Sequence, residues 1–177
     1  MESKVKLAGH PIHPMLIVFP LGLFVTATVF DLVYMLVGHT SFSDAAYWMS
    51  IAGIVGRLAA ALFGFLDYLN VPAGTLARQV GMYHGIGNVV VVALFAVAVL
   101  MRWGVNGHLT SAVPFALEVI GVLLAAVTGW LGGELVDRLG VGVDNGANLN
   151  APSSLSGELA SATGVGQTSP PSGTQAV

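Results

Sequence analysis

Four long apolar stretches decide what this chain can become. The first, "PMLIVFPLGLFVTATVFDLVYMLV" over residues 14–37, carries a single charge, Asp31, and three more follow at 45–69, 84–103 and 111–135. Each has the roughly 20 residues that a helix needs to cross hydrocarbon. Each is too long for a tilted barrel strand, and lipid offers an unpaired backbone no partner, so all four are expected to be helices. The first lacks the short apolar run and small-residue cleavage site of a secretory signal, so it is read as a span that stays. Only 8% of residues are charged, against roughly 25% in a soluble domain, and mean hydropathy is +0.81. The expected fold class is all-α: an integral-membrane antiparallel four-helix bundle over residues 1–144, set in a lipid bilayer.

The connections differ in length. "GHTSFSD" and "GVNGHLT" read as tight turns, while residues 70–83, "NVPAGTLARQVGMY", leave room for a short surface helix. Residues 145–177 are rich in Ser, Gly, Thr, Ala and Pro. Such a composition buries too little apolar area to offset its ordering entropy, so a disordered tail is expected there. Lys4, Lys6, Arg78 and Arg138 flank the spans on the side of the N-terminus, and Arg102 alone is counted on the other. That bias favours both termini in the cytoplasm.

The formal charge of −3 supplies no basic field for nucleic acid. With no cysteine, disulfides, thiolate metal sites and cysteine nucleophiles are excluded within the chain. No phosphate loop, nucleophile elbow or His-Glu-x-x-His is present, so no catalytic residue is assigned; "GIGNVV" is a partial glycine match inside an apolar helix. Small residues recur every four positions at Gly56, Ala60 and Gly64, and at Gly121, Ala125, Gly129 and Gly133. Such ridges let helices approach closely in lipid, and one of them leaves a face for a second copy, a homo-oligomer. Pro20 is expected to bend the first span.

Charge inside a span is costly and needs a partner. Asp31 and Glu118 both lie about 10 Å below the outer surface at 1.5 Å per residue, and Arg57 about 18 Å down. The long Arg57 stem is expected to carry its guanidinium up to both acids, forming an intramembrane charge cluster of Asp31, Arg57 and Glu118. This is either a structural ion pair or a relay in which one acid exchanges a proton.

A second polar group forms at the opposite end. Antiparallel spans return His10, His13, Asp67, His84 and Glu134 to one face, with Asn88 a turn deeper. His39 and His108 fall in the outer turns, as solvated loop residues. His13 precedes Pro14 and is expected to be extended, with Pro14 opening the helix. Residues 10–13 then resemble polyproline, with two imidazoles about 9 Å apart on one side.

The segments "GHPIHPMLIVFPLGLF", "FGFLDY", "GMYHGIGNVVV" and "GWLGGELVDRLGVGVD" resemble, in order and spacing, a widespread bacterial family of four-helix membrane proteins, domain of unknown function two-two-three-one, over about residues 8–144. The resemblance implies no agreed activity. Related domains look to be fused to Rieske or c-type cytochrome modules, which implies an electron-transfer setting and, for this chain, a separate redox protein partner. The family's motif positions fall on His10, His13, Asp67, His84 and Glu134.

Three functions follow. The default is a non-catalytic structural or accessory subunit of a membrane assembly. The alternative is a redox module in which His84 and His10 or His13 ligate a haem b or a transition-metal ion, with Asp67 or Glu134 as supporting groups and Gly85, Gly87, Gly132 and Gly133 supplying room. A small proton-coupled carrier comes third, and no inverted repeat is evident to support it.

Overall fold

A computed structural model describes residues 1–162. Four helices cross the molecule: α1 (Ile12–Val37), α2 (Thr40–Leu69), α3 (Leu76–Arg102) and α4 (Ala112–Gly133), the last continuing as a π-helical turn over Glu134–Arg138. All four are long and apolar enough to span a membrane. The four-helix bundle expected from the sequence is the observed fold. α1 and α3 each neighbour α2 and α4, so the two stand across the diagonal of a four-cornered bundle.

Helix ends differ from expectation where local hydrogen bonding overrides composition. The surface helix expected within 70–83 is the start of α3 itself, because the Thr75 hydroxyl accepts the Arg78 amide and caps a helix beginning at Leu76. His13 is helical rather than extended: α1 starts at Ile12, and Pro14 sits in a first turn whose amides have no intrahelical partner in any case. α1 runs on through Pro20, a buried residue whose ring packs about Gly56.

Before α1 comes a two-stranded hairpin, β1 (Lys6–Leu7) and β2 (His10–Pro11), with Leu7 opposite His10. Its two-residue loop needs positive φ at both positions, and Ala8 (51°) and Gly9 (81°) adopt it. Residues 145–162 contain turns and a 3-10 turn at Ser154–Ser156, and Ser154 donates to the Ala8 carbonyl (3.2 Å). The rest of the tail expected to be disordered, 163–177, lies outside the described residues.

The two halves of the bundle repeat one another. His13 and Phe24 stand eleven residues apart in α1, as His84 and Phe95 do in α3, and seven further on come Asp31 and Arg102. Gly53, Ala60 and Gly64 in α2 share their spacing with Gly121, Thr128 and Gly132 in α4. Each residue of the α1 set meets its own counterpart: the His13 and His84 rings lie 6.2 Å apart, Phe24 stacks on Phe95 at 3.9 Å, and Asp31 pairs with Arg102 at 2.7 Å. Two copies whose equivalent residues contact each other are arranged as across a two-fold axis. The hairpins α1–α2 and α3–α4 are therefore related by an approximate two-fold running along the bundle. The repeat is parallel, not inverted, because α1 and α3 both start at the face that carries the N-terminus.

Phe24, Phe95, Val91 and Ala125 form the core. Gly53 and Gly121 admit the two rings, since a Cβ at either would lie 2.5 or 2.7 Å from Phe24 or Phe95. On α4 the inward line is Gly121, Ala125, Thr128 and Gly132 rather than the expected Gly121, Ala125, Gly129 and Gly133. A strict four-residue step drifts by about 40° per step on a helix of 3.6 residues per turn, so Gly129 and Gly133 rotate outward.

Candidate functional site: two polar layers on one axis

The outer layer is built around Arg102, fully buried with Asp31 and Glu118. Its Nη1 donates to Asp31 (2.7 Å) and Glu118 (3.0 Å), and Nη2 to Asp31 (3.1 Å) and the Ser43 carbonyl (2.6 Å). Nε donates to the His108 carbonyl (2.8 Å), and Ser43 Oγ donates to Asp31 (2.9 Å). This corrects the expected charge cluster: the cation between Asp31 and Glu118 is Arg102, not Arg57. Arg102 is the last residue of α3, and its stem turns inward instead of reaching the outer surface. His108 is not simply solvated either, stacking on Tyr47 (3.9 Å) and contacting Asp44 at 2.8 Å.

The imidazoles of the inner layer lie about 16 Å from the stacked phenylalanines, toward the face of the N-terminus, and the Arg57 guanidinium lies between them, 5.8 Å from the Phe24 ring centre. His13 Nδ1 meets the Ala60 carbonyl at 2.7 Å, and His84 Nδ1 meets the Thr128 carbonyl at 2.8 Å. A carbonyl only accepts, so each Nδ1 carries hydrogen and each Nε2 is the edge left for another group. At His84 that edge takes the amide of Asn88 (3.0 Å). The Asn88 oxygen accepts from Thr128 Oγ1 (3.1 Å) and from Arg57 Nη2, which fixes the amide's orientation. Gly64 and Gly132 abut the two rings: a Cβ there would lie 2.8 Å from His13 or 3.2 Å from His84.

Of the five residues expected to share a site, His13 and His84 come together and three do not. His10, in β2, faces Ser154 (3.3 Å). Asp67 accepts from Ser3 Oγ (2.8 Å) and the Lys4 amide (3.0 Å), so its carboxylate pins the N-terminal segment. Glu134 lines a shallow pocket of about 220 Å³ with Trp130, Gly133, Asp137 and Arg138. Among the described residues, no three His, Asp or Glu side chains converge as metal ligands.

The family of predicted membrane proteins designated DUF2231 matches residues 9–145. The chain belongs to that family. No curated protein and no solved structure matches it. The match takes in both polar layers, from His13 to Thr128, so this family member carries the repeated hairpin within its matched region. Sequence reasoning missed Arg102 and Asn88 as partners. The signal for Arg102 was available: it follows His84 by the same 18 residues that separate Asp31 from His13.

Proposed function

We propose that the chain is a non-catalytic accessory subunit of a membrane assembly, a scaffold whose polar interior holds two helical hairpins in one fixed pairing. The observation that carries this reading is that each axial pair joins the two halves: imidazole to imidazole, phenyl to phenyl, carboxylate to guanidinium. Side chains spent on one another in this way set a rigid register. The stacked phenylalanines, both fully buried, fill the axis between the layers, which argues against the proton-coupled carrier. Gly129 and Gly133 face outward with nothing packed within 4 Å, a surface on which another subunit or a second copy would seat closely. The resemblance to domains joined to electron-transfer modules supports a redox assembly as the setting. With Arg102 buried, the flanking cations Lys4, Lys6, Arg78 and Arg138 all lie on the terminal face, which favours cytoplasmic termini in an inner membrane.

A second reading rests on the 6.2 Å apposition of His13 and His84: a single transition-metal ion held by two imidazoles whose Nδ1–H groups are already oriented. Arg57 beside them opposes it, since a guanidinium repels a metal cation. The pair does not fit a haem, because Asn88 occupies the His84 Nε2 edge and Gly64 and Gly132 close on the rings.

The test is the absorption spectrum and metal content of the protein purified in detergent, alongside its migration in gently solubilised membranes. The scaffold reading expects no Soret band, substoichiometric metal, and migration in a complex well above the 18.2 kDa chain. Stoichiometric metal lost in both His13→Ala and His84→Ala, with the chain migrating alone, would overturn it in favour of the metal module.

A further inference from the structure

The buried cation left out of the Arg102 cluster is Arg57, only 4% exposed. One of its nitrogens, Nη2, donates to Asn88, and the guanidinium lies 5.8 Å from the centre of the Phe24 ring. Nε and Nη1 have no hydrogen-bond partner among the described residues. No ion pair among those residues includes Arg57. Every element around it brings neutral or basic groups: His13 from α1, His84 and Asn88 from α3, Thr128 from α4. The acids are committed elsewhere. Asp31 and Glu118 sit beyond the phenylalanine stack on Arg102, and Asp67 holds Ser3 and Lys4.

A guanidinium inside a span needs both its N–H groups satisfied and its charge balanced. Water supplies the first and not the second; an anion supplies both. We propose that Arg57, steadied by Asn88, is the centre of an intramembrane site for a small monovalent anion, of the size of a halide, nitrate or formate. The valence follows from the charge: the layer offers one fixed positive group and no acid. The packing limits the size, because the guanidinium is buried and Phe24 covers one of its sides. Asn88 holds the guanidinium through its oxygen while its amide is turned to His84, so the neutral hydrogen bond orients the charge without cancelling it. The site goes beyond the scaffold reading and does not depend on it.

The test uses the full chain in detergent, equilibrated in sulfate and titrated with chloride, nitrate or formate at constant ionic strength, with thermal unfolding as the readout. The expected result is a saturable rise in unfolding temperature, about 5 to 10 °C at a concentration roughly a hundredfold above the dissociation constant. Asn88→Asp places a carboxylate against the guanidinium and should abolish the dependence in a folded protein; Arg57→Gln should abolish it by removing the charge. Chlorine NMR line broadening reports binding in the parent protein and should disappear in Asn88→Asp. Equal unfolding temperatures in all four salts would overturn the proposal. So would an anion dependence, or chloride broadening, that survives in Asn88→Asp, since that would place the anion elsewhere.

Discussion

The bundle buries two arginines, and their surroundings differ in one respect that decides everything else about them. Arg102 faces two carboxylates, a serine and two backbone carbonyls, and all three of its nitrogens are engaged. Arg57 faces an asparagine and an aromatic ring, and two of its nitrogens are free among the described residues. The outer layer has more acid than base; the inner one has base alone. A stacked pair of phenylalanines keeps them apart, so neither layer relieves the other. Both layers lie on the same pseudo-two-fold axis. The repeated hairpin therefore supplies a common frame, in which Asp31 and Arg102 stand at equivalent positions with opposite charge.

The sharpest way to break this contrast is to remove each arginine in turn. Arg102→Met strands two buried carboxylates, and losing one partner of a buried ionic group costs about 3 to 5 kcal/mol. Arg57→Met strands no acid, and Asn88 keeps its hydrogen bond from Thr128, so in sulfate the change should stay within about 1 kcal/mol. Unfolding in detergent by heat or denaturant measures both. Equal losses for the two variants would refute the distinction. Replacing the whole outer triad, as Asp31→Leu, Arg102→Met and Glu118→Leu together, should instead be neutral or stabilising by about 1 to 4 kcal/mol.

A smaller effect tests the layer that separates them. Gly53→Ala puts a methyl group 2.5 Å from Phe24, and Gly121→Ala one 2.7 Å from Phe95. Overpacking of this kind costs about 1 to 3 kcal/mol. Phe24→Leu should recover much of the loss in Gly53→Ala while leaving Gly121→Ala unimproved, a crossed pattern that double-variant unfolding curves would show. If Phe24→Leu rescues both equally, the two rings do not each occupy a notch of their own hairpin.

The spans were legible because length and apolarity alone select a membrane helix. That His13 and His84 share a face was legible too, because antiparallel crossings return α1 and α3 to one side, but which of His10 and His13 meets His84 was not. Arg102 was hidden by its place at a span boundary, where an arginine ordinarily reaches outward; only the matching count from His84 ties it to the depth of Asp31. His10, Asp67 and Glu134 were grouped by face alone. Residues 1–11 fold into a hairpin with a local turn signal of just Ala8 and Gly9, and that hairpin and its flanks take up His10 and Asp67. The parallel repeat rests on a few residues at fixed spacing, too sparse to stand out until contacts show which of them meet.

The same charge chemistry in water gives the smallest and most reversible effect, and so calibrates the other two. On the terminal face Lys6 reaches both Glu2 (3.3 Å) and Asp144, joining the N-terminal hairpin to the chain beyond α4. The Asn145 amide, which donates to Glu2 at 3.0 Å, and then Lys6 hold the Glu2 carboxyl below its usual 4.5. Asp144, and then Glu2, hold the Lys6 ammonium above its usual 10.5. A depressed carboxyl contributes fully above 4.5 and loses that contribution as pH falls through its folded value; a raised ammonium contributes fully below 10.5 and loses it as pH climbs. The strap should therefore stay closed between those limits and loosen first in acid. Hydrogen exchange of the 6–10 amides, corrected for intrinsic rate, should accelerate as Glu2 protonates. Glu2→Gln combined with Asp144→Asn should remove that acid step while leaving thermal unfolding of the bundle nearly unchanged. Exposed pairs of this kind are screened by salt, so the step should shrink at high ionic strength while the Arg102 triad, shielded from water, stays indifferent to it. An acid step that persists when both Glu2 and Asp144 are replaced would mean that the hairpin is held by something other than these ion pairs.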